Sequence, residues 1–339
     1  MPLLSPSFAA LAALIAILLL VPLNMLFSKK WDPRGKHCFI TGGSSGTGLQ
    51  LAIQLAKRGA HVSIIARDKG RLEKALEEVE CARQNSAQVF GAYSFPVDSE
   101  EGSAAALKAA ADPHGGRCPD ALFLCAGMSK PGFFIEQTGE TLRNGLQITY
   151  GAQAFSALAG AKEMVKQGIK GKIIFVSSVL GFMGIVGYSN YTPGKFAIRG
   201  LAETLHSELM LYGIDVHISF PATIFTPSYV EENKIKPKIT LKIEETDGGK
   251  SPEEIAASIL KGIEKGNFHI TSDILGDIFR GSTAGSSPRN NYLVDLVYGL
   301  IGYIGFPIWR KSVDSMVIAH RGEHQAYLRS KGIPEHLTF

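Results

Sequence analysis

Cysteine is scarce in this chain. The 339 residues hold four, Cys38, Cys81, Cys118 and Cys125, with no Cys-x-x-Cys pair and no Cys/His ligand spacing. That excludes a disulfide framework, gives no metal site, and fits a reducing compartment. Cys38 and Cys125 fall in apolar runs, where cysteine serves as a small buried hydrophobe. Charge is sparse as well, at 19% of residues with a formal net charge of +4, and no Lys/Arg block of the kind used on phosphate backbones appears. Nucleic acid is thereby excluded as a partner. No internal repeat or low-complexity tract is visible. With 45% hydrophobic residues the chain is globular but greasy, and long enough for one α/β domain with extensions.

The longest stretch without charge is at the start. Residues 3–27 carry no charged side chain, and residues 8–23 are almost wholly Ala, Leu, Ile and Val. About 20 such residues in a helix cross the hydrocarbon core of a bilayer. A cleaved signal peptide wants a basic start, a shorter apolar run and a small-residue cleavage site. Here Lys29, Lys30, Arg34 and Lys36 all follow the run. An uncleaved anchor is expected, with the rest of the chain on the cytosolic side, because basic flanks stay inside. The one Asn-x-Ser/Thr sequon, at Asn190, agrees with that side. The expected organisation is an anchor over residues 1–30, a catalytic domain over 31–285 and an apolar, membrane-associated segment over 286–339.

From His37 onward short apolar runs (HCFIT, HVSIIA, ALFLCAG, KIIFVSS, DVHISF) alternate with helical spacers. Repeated βαβ units predict an α/β fold, a doubly wound, Rossmann-like parallel sheet with helices on both faces. Residues 228–250 are polar and lysine-rich with scattered Pro and Gly, and read as a flexible loop. Residues 291–309 are apolar and aromatic but include Asp295. They are marginal in length for a span, and an acid at bilayer depth is costly. Two readings stay open: a piece lying in the membrane interface, and ordinary packing on the domain.

The chemistry gathers in three places. Residues 41–48, TGGSSGTG, follow a strand and open a helix. Gly42, Gly46 and Gly48 allow a sharp turn and close approach to a pyrophosphate, which the helix N-terminus attracts; Ser44 and Ser45 line the same loop. The second strand ends without an acid and is followed by Arg67, with Arg71 one turn on. An acid there selects NAD, whereas an arginine accommodates the 2′-phosphate, so NADPH is the expected cofactor. Asp68 is read as the cap of the next helix, and Asp98 places a carboxylate or a turn near the adenine. Finally, Tyr191 and Lys195 stand four apart, on one helix face, with Ser178 thirteen residues upstream at a strand end. A lysine ammonium beside a phenol lowers its pKa and suits it to protonate a developing alkoxide.

Over residues 36–280 the chain resembles the short-chain dehydrogenase/reductase superfamily, through TGGSSGTG, FVSS and the Tyr-x-x-x-Lys of YTPGKF. The resemblance implies catalytic roles for Ser178 (Ser177 if the register slips by one), Tyr191 and Lys195. It also implies that Tyr191, Lys195 and Ile224, the last in PATIFT after the sixth strand, touch the cofactor. Two departures stand out: Leu124-Cys125-Ala126-Gly127 replaces Asn-Asn-Ala-Gly, and Thr149 replaces the helix asparagine of the proton relay. More narrowly, TGGSSGTG, YTPGKFAIRGLAETLHSEL and FHITSD are similar to the 3-ketodihydrosphingosine reductase family. That likeness implies NADPH-dependent reduction of a long-chain lipid ketone at the cytosolic face of the endoplasmic reticulum membrane. A steroid or retinoid dehydrogenase, a non-catalytic NADPH-binding scaffold and a homo-oligomer all stay open.

Overall fold

A computed structural model describes residues 31–245 and 248–333. The expected N-terminal anchor lies outside the described residues. Alternation of strand and helix proceeds as β1 (His37–Thr41), α1 (Gly46–Lys57), β2 (His61–Ala66), α2 (Lys69–Glu80), β3 (Phe90–Ser94), α3 (Glu100–Ala111) and β4 (Ala121–Leu124). Then come α4 (Gly139–Leu146), α5 (Ala152–Gln167), β5 (Lys172–Val176), α6 (Thr192–Leu209) and β6 (Asp215–Phe220). The chain continues with β7 (Thr223–Ile224), α7 (Pro227–Ile235), α8 (Lys238–Glu244), β8 (Gly249–Lys250), α9 (Pro252–Glu264) and β9 (His269–Thr271). Three helices follow among the described residues: α10 (Ile274–Ser282), α11 (Tyr292–Ala319) and α12 (Arg321–Ser330).

Seven strands form one parallel sheet in the order β3-β2-β1-β4-β5-β6-β9. Strand alternation explains its two cores. Cys38 and Ile40 face one side with Leu51, Leu55, Leu72 and Ile259 from α1, α2 and α9. Phe39 faces the other with Leu107, Ala157, Ile198 and Ala202 from α3, α5 and α6. Such a sheet, buried on both faces, needs the near-continuous apolar strands seen here. The order reverses between β1 and β4, and ligands of doubly wound sheets bind at the carboxyl ends of the strands at that point.

Two expectations need correction. Residues 228–250 are not a loop but largely α7, α8 and β8. Pro227 opens α7, and the Thr226 hydroxyl accepts from Tyr229 N at 3.0 Å. The charges that look solvated in sequence pair with one another: Lys236 is buried between Glu232, at 3.1 Å, and Glu244, at 2.7 Å. Residues 291–309 likewise belong to a helix that runs ten residues further, so α11 has 28 residues and is long and apolar enough to cross a membrane.

Packing on the domain accounts for one face of α11. On that face Asp295 is buried against Arg280, at 2.6 Å, and Phe306 stacks on Phe279 with centroids 3.9 Å apart. The opposite face leaves Tyr292, Leu296, Leu300, Tyr303, Ile304 and Ile308 exposed. The acid that argues against lipid contact therefore points into the protein. Arg280→Ala leaves Asp295 buried without its cation and is expected to cost about 3–5 kcal/mol, read from urea unfolding. A loss below about 1 kcal/mol, the range of an exposed pair, contradicts that account of α11 docking.

Candidate active site

The loop between β1 and α1 is shaped for an anion. A Cβ on Gly48 would stand 2.4 Å from the Gly42 carbonyl oxygen, so the first helical turn presses on the loop where only glycine fits. Gly42 has φ +68°, a left-handed conformation that glycine adopts without strain. Ser45 occupies the N-cap of α1 but makes no side-chain cap, and the first turn holds no acid, so its N–H groups stay open to a ligand. Thr47 Oγ1 is buried there with no partner among the described residues. The segment after β6 comes to the same place: a Cβ on Gly46 would lie 3.2 Å from Thr226 Cγ2. Ile224 sits in β7 beside it, half-buried and paired with Lys250 of β8.

At the tip of β2, Arg67 is exposed. Asp68 caps α2, accepting from Arg71 N at 2.9 Å, and its other oxygen takes the Arg71 guanidinium at 3.2 Å. The acid after β2 is thus committed to its own helix, together with Arg71. Asp98 lies between β3 and α3, where its carbonyl accepts a hydrogen bond from the Gln147 side chain. Ser44 and Ser45 are half-buried in the glycine loop. The fit to a dinucleotide is therefore good at the loop and at Arg67, while Arg71 faces Asp68.

Ser178, Tyr191 and Lys195 meet at the carboxyl end of β5. Ser178 follows the strand, and its hydroxyl accepts from Leu180 N at 3.2 Å and bonds to Tyr191. Its neighbour Ser177 points elsewhere, donating to the Lys195 carbonyl at 3.0 Å. Tyr191 is the N-cap residue of α6, and Lys195 lies in the first turn. The Lys195 ammonium is buried, donates to the Val176 carbonyl at 3.0 Å, and stands 5.3 Å from the centre of the Tyr191 ring.

Ionisation here differs from the sequence expectation. Burial first, and then the Glu232 charge, push the Tyr191 phenol well above its usual value, with only the Ser178 hydrogen bond opposing them. The Lys195 ammonium, turned to the Val176 carbonyl, does not outweigh these two effects. Burial instead lowers Lys195 to about 8. The phenol therefore keeps the proton it needs as a donor, and the lysine is the group near its titration point.

Thr149 lies in a π-helical turn, Gln147–Gly151, joining α4 to α5. Its hydroxyl donates to the Gly145 carbonyl at 2.6 Å. A Cβ on Gly194 would come 1.8 Å from that hydroxyl, so the turn packs on α6 at the residue before Lys195. π-Turns of this kind gather at functional sites. An apolar groove of about 600 Å3 is lined by Phe133, Phe134, Ile135, Val186, Tyr188, Pro193, Arg310 and His324; Tyr191 is not in its lining, but its ring stands 5.9 Å from that of Tyr188. The C-terminal helices border the groove: His324 packs on Phe133 at 4.3 Å, and Arg310 donates to the Gly184 carbonyl at 2.8 Å.

The short chain dehydrogenase family model matches residues 36–236. The chain belongs to that family. This short-chain dehydrogenase is 41% identical over 302 residues to the 3-ketodihydrosphingosine reductase TSC10 of Cryptococcus neoformans, covering 89% of the chain and 90% of the relative. It is 36% identical to the 3-dehydrosphinganine reductase of Danio rerio (80% and 82% covered) and 35% identical to the 3-ketodihydrosphingosine reductase of Bos taurus (85% and 86%). Among solved structures, a short-chain dehydrogenase/reductase from Burkholderia phymatum in complex with NAD aligns with TM-score 0.64 at 20% identity, over 72% of this chain and 91% of that one. A short-chain dehydrogenase from Sphingobium yanoikuyae in complex with NADPH aligns with TM-score 0.60 at 25% identity, over 70% and 87%. The dehydrogenase is thus an oxidoreductase with a nicotinamide cofactor.

Sequence reasoning missed the groove, Tyr188 and Glu232. The only signal was a run of apolar residues, 182–186, just before Tyr188; nothing in the sequence pairs it with Phe133 or with α12. Because Lys195 loses its proton as pH rises through about 8, kcat/KM is expected to fall above that value while the Tyr191 proton persists. A kcat/KM profile flat through that region contradicts a role for the Lys195 charge.

Proposed function

We propose that the dehydrogenase reduces 3-ketodihydrosphingosine (3-dehydrosphinganine) to sphinganine with NADPH, at the cytosolic face of the endoplasmic reticulum membrane. The observation that carries this is an apolar groove lined by Tyr188, Ser189, Thr192 and Pro193, the residues on either side of Tyr191, in a chain whose relatives across fungi, fish and cattle bear that activity in their names. In this reading the ketone oxygen faces Tyr191 and Ser178. Reduced nicotinamide supplies the hydride when bound. The Tyr191 hydroxyl gives its proton to the developing alkoxide, Ser178 hydrogen-bonds the same oxygen, and the Lys195 ammonium stabilises the phenolate left behind.

NADPH is favoured over NADH by Arg67 at the tip of β2, and by an Asp68 turned to its own helix. Membrane association is supported by the exposed apolar face of α11, which adjoins a groove suited to a lipid chain. The orientation rests on the basic residues that follow the apolar N-terminal run. The expected division into an anchor (1–30), a catalytic domain (31–285) and a membrane-proximal segment (286–339) belongs to the same proposal, with α11 as the membrane-facing part of the last.

Detergent-solubilised protein is expected to oxidise NADPH with 3-ketodihydrosphingosine and far more slowly with steroid or retinoid carbonyls. Tyr191→Phe is expected to be about 10²-fold slower on the same ketone. A preference for steroid or retinoid substrates overturns the assignment. Arg67→Ala is expected to weaken NADPH binding by about 1.5–3 kcal/mol and to leave NADH almost unchanged, measured by fluorescence titration. Equal losses for the two cofactors would show that Arg67 does not read the phosphate.

A further inference from the structure

Behind Tyr188, a residue of the groove lining, two carboxylates share one cation. Lys236 faces two carboxylates, Glu232 at 3.1 Å and Glu244 at 2.7 Å. The Tyr188 hydroxyl lies 2.9 Å from Glu232 and 2.8 Å from Glu244, yet a phenol has one proton to donate. One cation and one O–H thus serve two partly buried acids, and Lys236 sits closer to Glu244. The carboxylate left short is Glu232. Lys195 and Arg310 form no ion pair with Glu232 among the described residues; their bonds go to the Val176 and Gly184 carbonyls. A carboxylate held away from water with too little counter-charge is costly, so the arrangement invites a cation from outside.

The position of Glu232 says where that cation would stand. Tyr188 lines the groove and its ring is 5.9 Å from the Tyr191 ring, so the acid network adjoins the proton donor. A second observation points to a polar ligand at the same place. Ser189 Oγ and Thr192 Oγ1, from residues lining the groove, are buried without partners among the described residues. So is Oδ1 of Asn190, a residue only 8% exposed. A wholly apolar ketone would leave these groups and the surplus charge unanswered.

We propose that Glu232 determines substrate specificity by holding an ammonium borne on the carbon next to the ketone, with the alkyl chain in the apolar groove. This rests on the reading above, in which the substrate, 3-ketodihydrosphingosine, carries that amine. Glu232 also acts on the proton donor, since its charge reinforces burial in holding the proton on Tyr191. An ammonium seated on Glu232 cancels much of that effect, so the substrate itself makes the phenol a better acid. A ketone without the amine leaves Tyr191 a weaker donor.

The test is a two-by-two comparison of kcat/KM, wild type and Glu232→Gln, each with 3-ketodihydrosphingosine and with the same chain lacking the amine. In the wild type, removing the amine should cost about tenfold or more, the worth of a hydrogen bond between charged groups. In Glu232→Gln the same removal should cost less than about threefold. An amine preference of equal size in both proteins overturns the proposal. Should the variant not fold, wild-type inhibition decides, with a long-chain amine expected to compete at least about tenfold better than the matching alcohol; equal inhibition overturns it. Failure of the underlying function would look different, as a wild type inactive on both ketones.

Discussion

The buried Lys195 ammonium is the constraint on which the site depends. A charged amine removed from water must find fixed dipoles, and here it finds the Val176 carbonyl at the end of β5. That bond ties the first turn of α6 to the sheet, and Ser177 ties it again by donating to the Lys195 carbonyl. With α6 so placed, Tyr191 faces Ser178, and Gly194 must be glycine because the Thr149 turn occupies the space of its side chain. The same burial that lowers Lys195 raises Tyr191. Proton donor and charge partner are both set by exclusion of water.

Around this rigid centre the chain is built for an amphipathic ligand. The groove is largely apolar and bordered by helices that expose an apolar face; among its lining residues Tyr188 bonds to Glu232 behind it, and Ser189 and Thr192 carry unpartnered hydroxyls. The C-terminal helices belong to the groove, since His324 packs on Phe133 and Tyr327 donates to Glu136 at 2.6 Å. Asp295, which looks out of place in an apolar helix, is the residue that docks α11 through Arg280. The docked face and the exposed apolar face are separate faces of one helix.

The parallel sheet, the glycine loop and the Tyr191/Lys195 pair were legible in the sequence because each is local. A strand period, a turn that only glycine allows, and a four-residue helical spacing all lie within a dozen residues. The Asp68 cap was legible for the same reason. What stayed hidden depends on distant partners. Residues 228–250 look solvated because the charges of Glu232, Lys236 and Glu244 satisfy one another only once α7 and α8 form. The direction of the Tyr191 shift was misread because spacing from Lys195 says nothing of how the phenol is buried or of Glu232 beside it. Phe133 and His324 meet only through the fold, so the groove has no sequence signature.

Transfer of label tests the central claim most directly. The wild-type protein would be given 3-ketodihydrosphingosine and NADPH carrying deuterium at both positions of nicotinamide C4, and the lipid product analysed by mass spectrometry. The account predicts sphinganine with a single deuterium, on the former carbonyl carbon, and loss of that product when Tyr191 is replaced by Phe. Absence of labelled sphinganine from the wild-type reaction, or undiminished labelling by the Tyr191 variant, would contradict it.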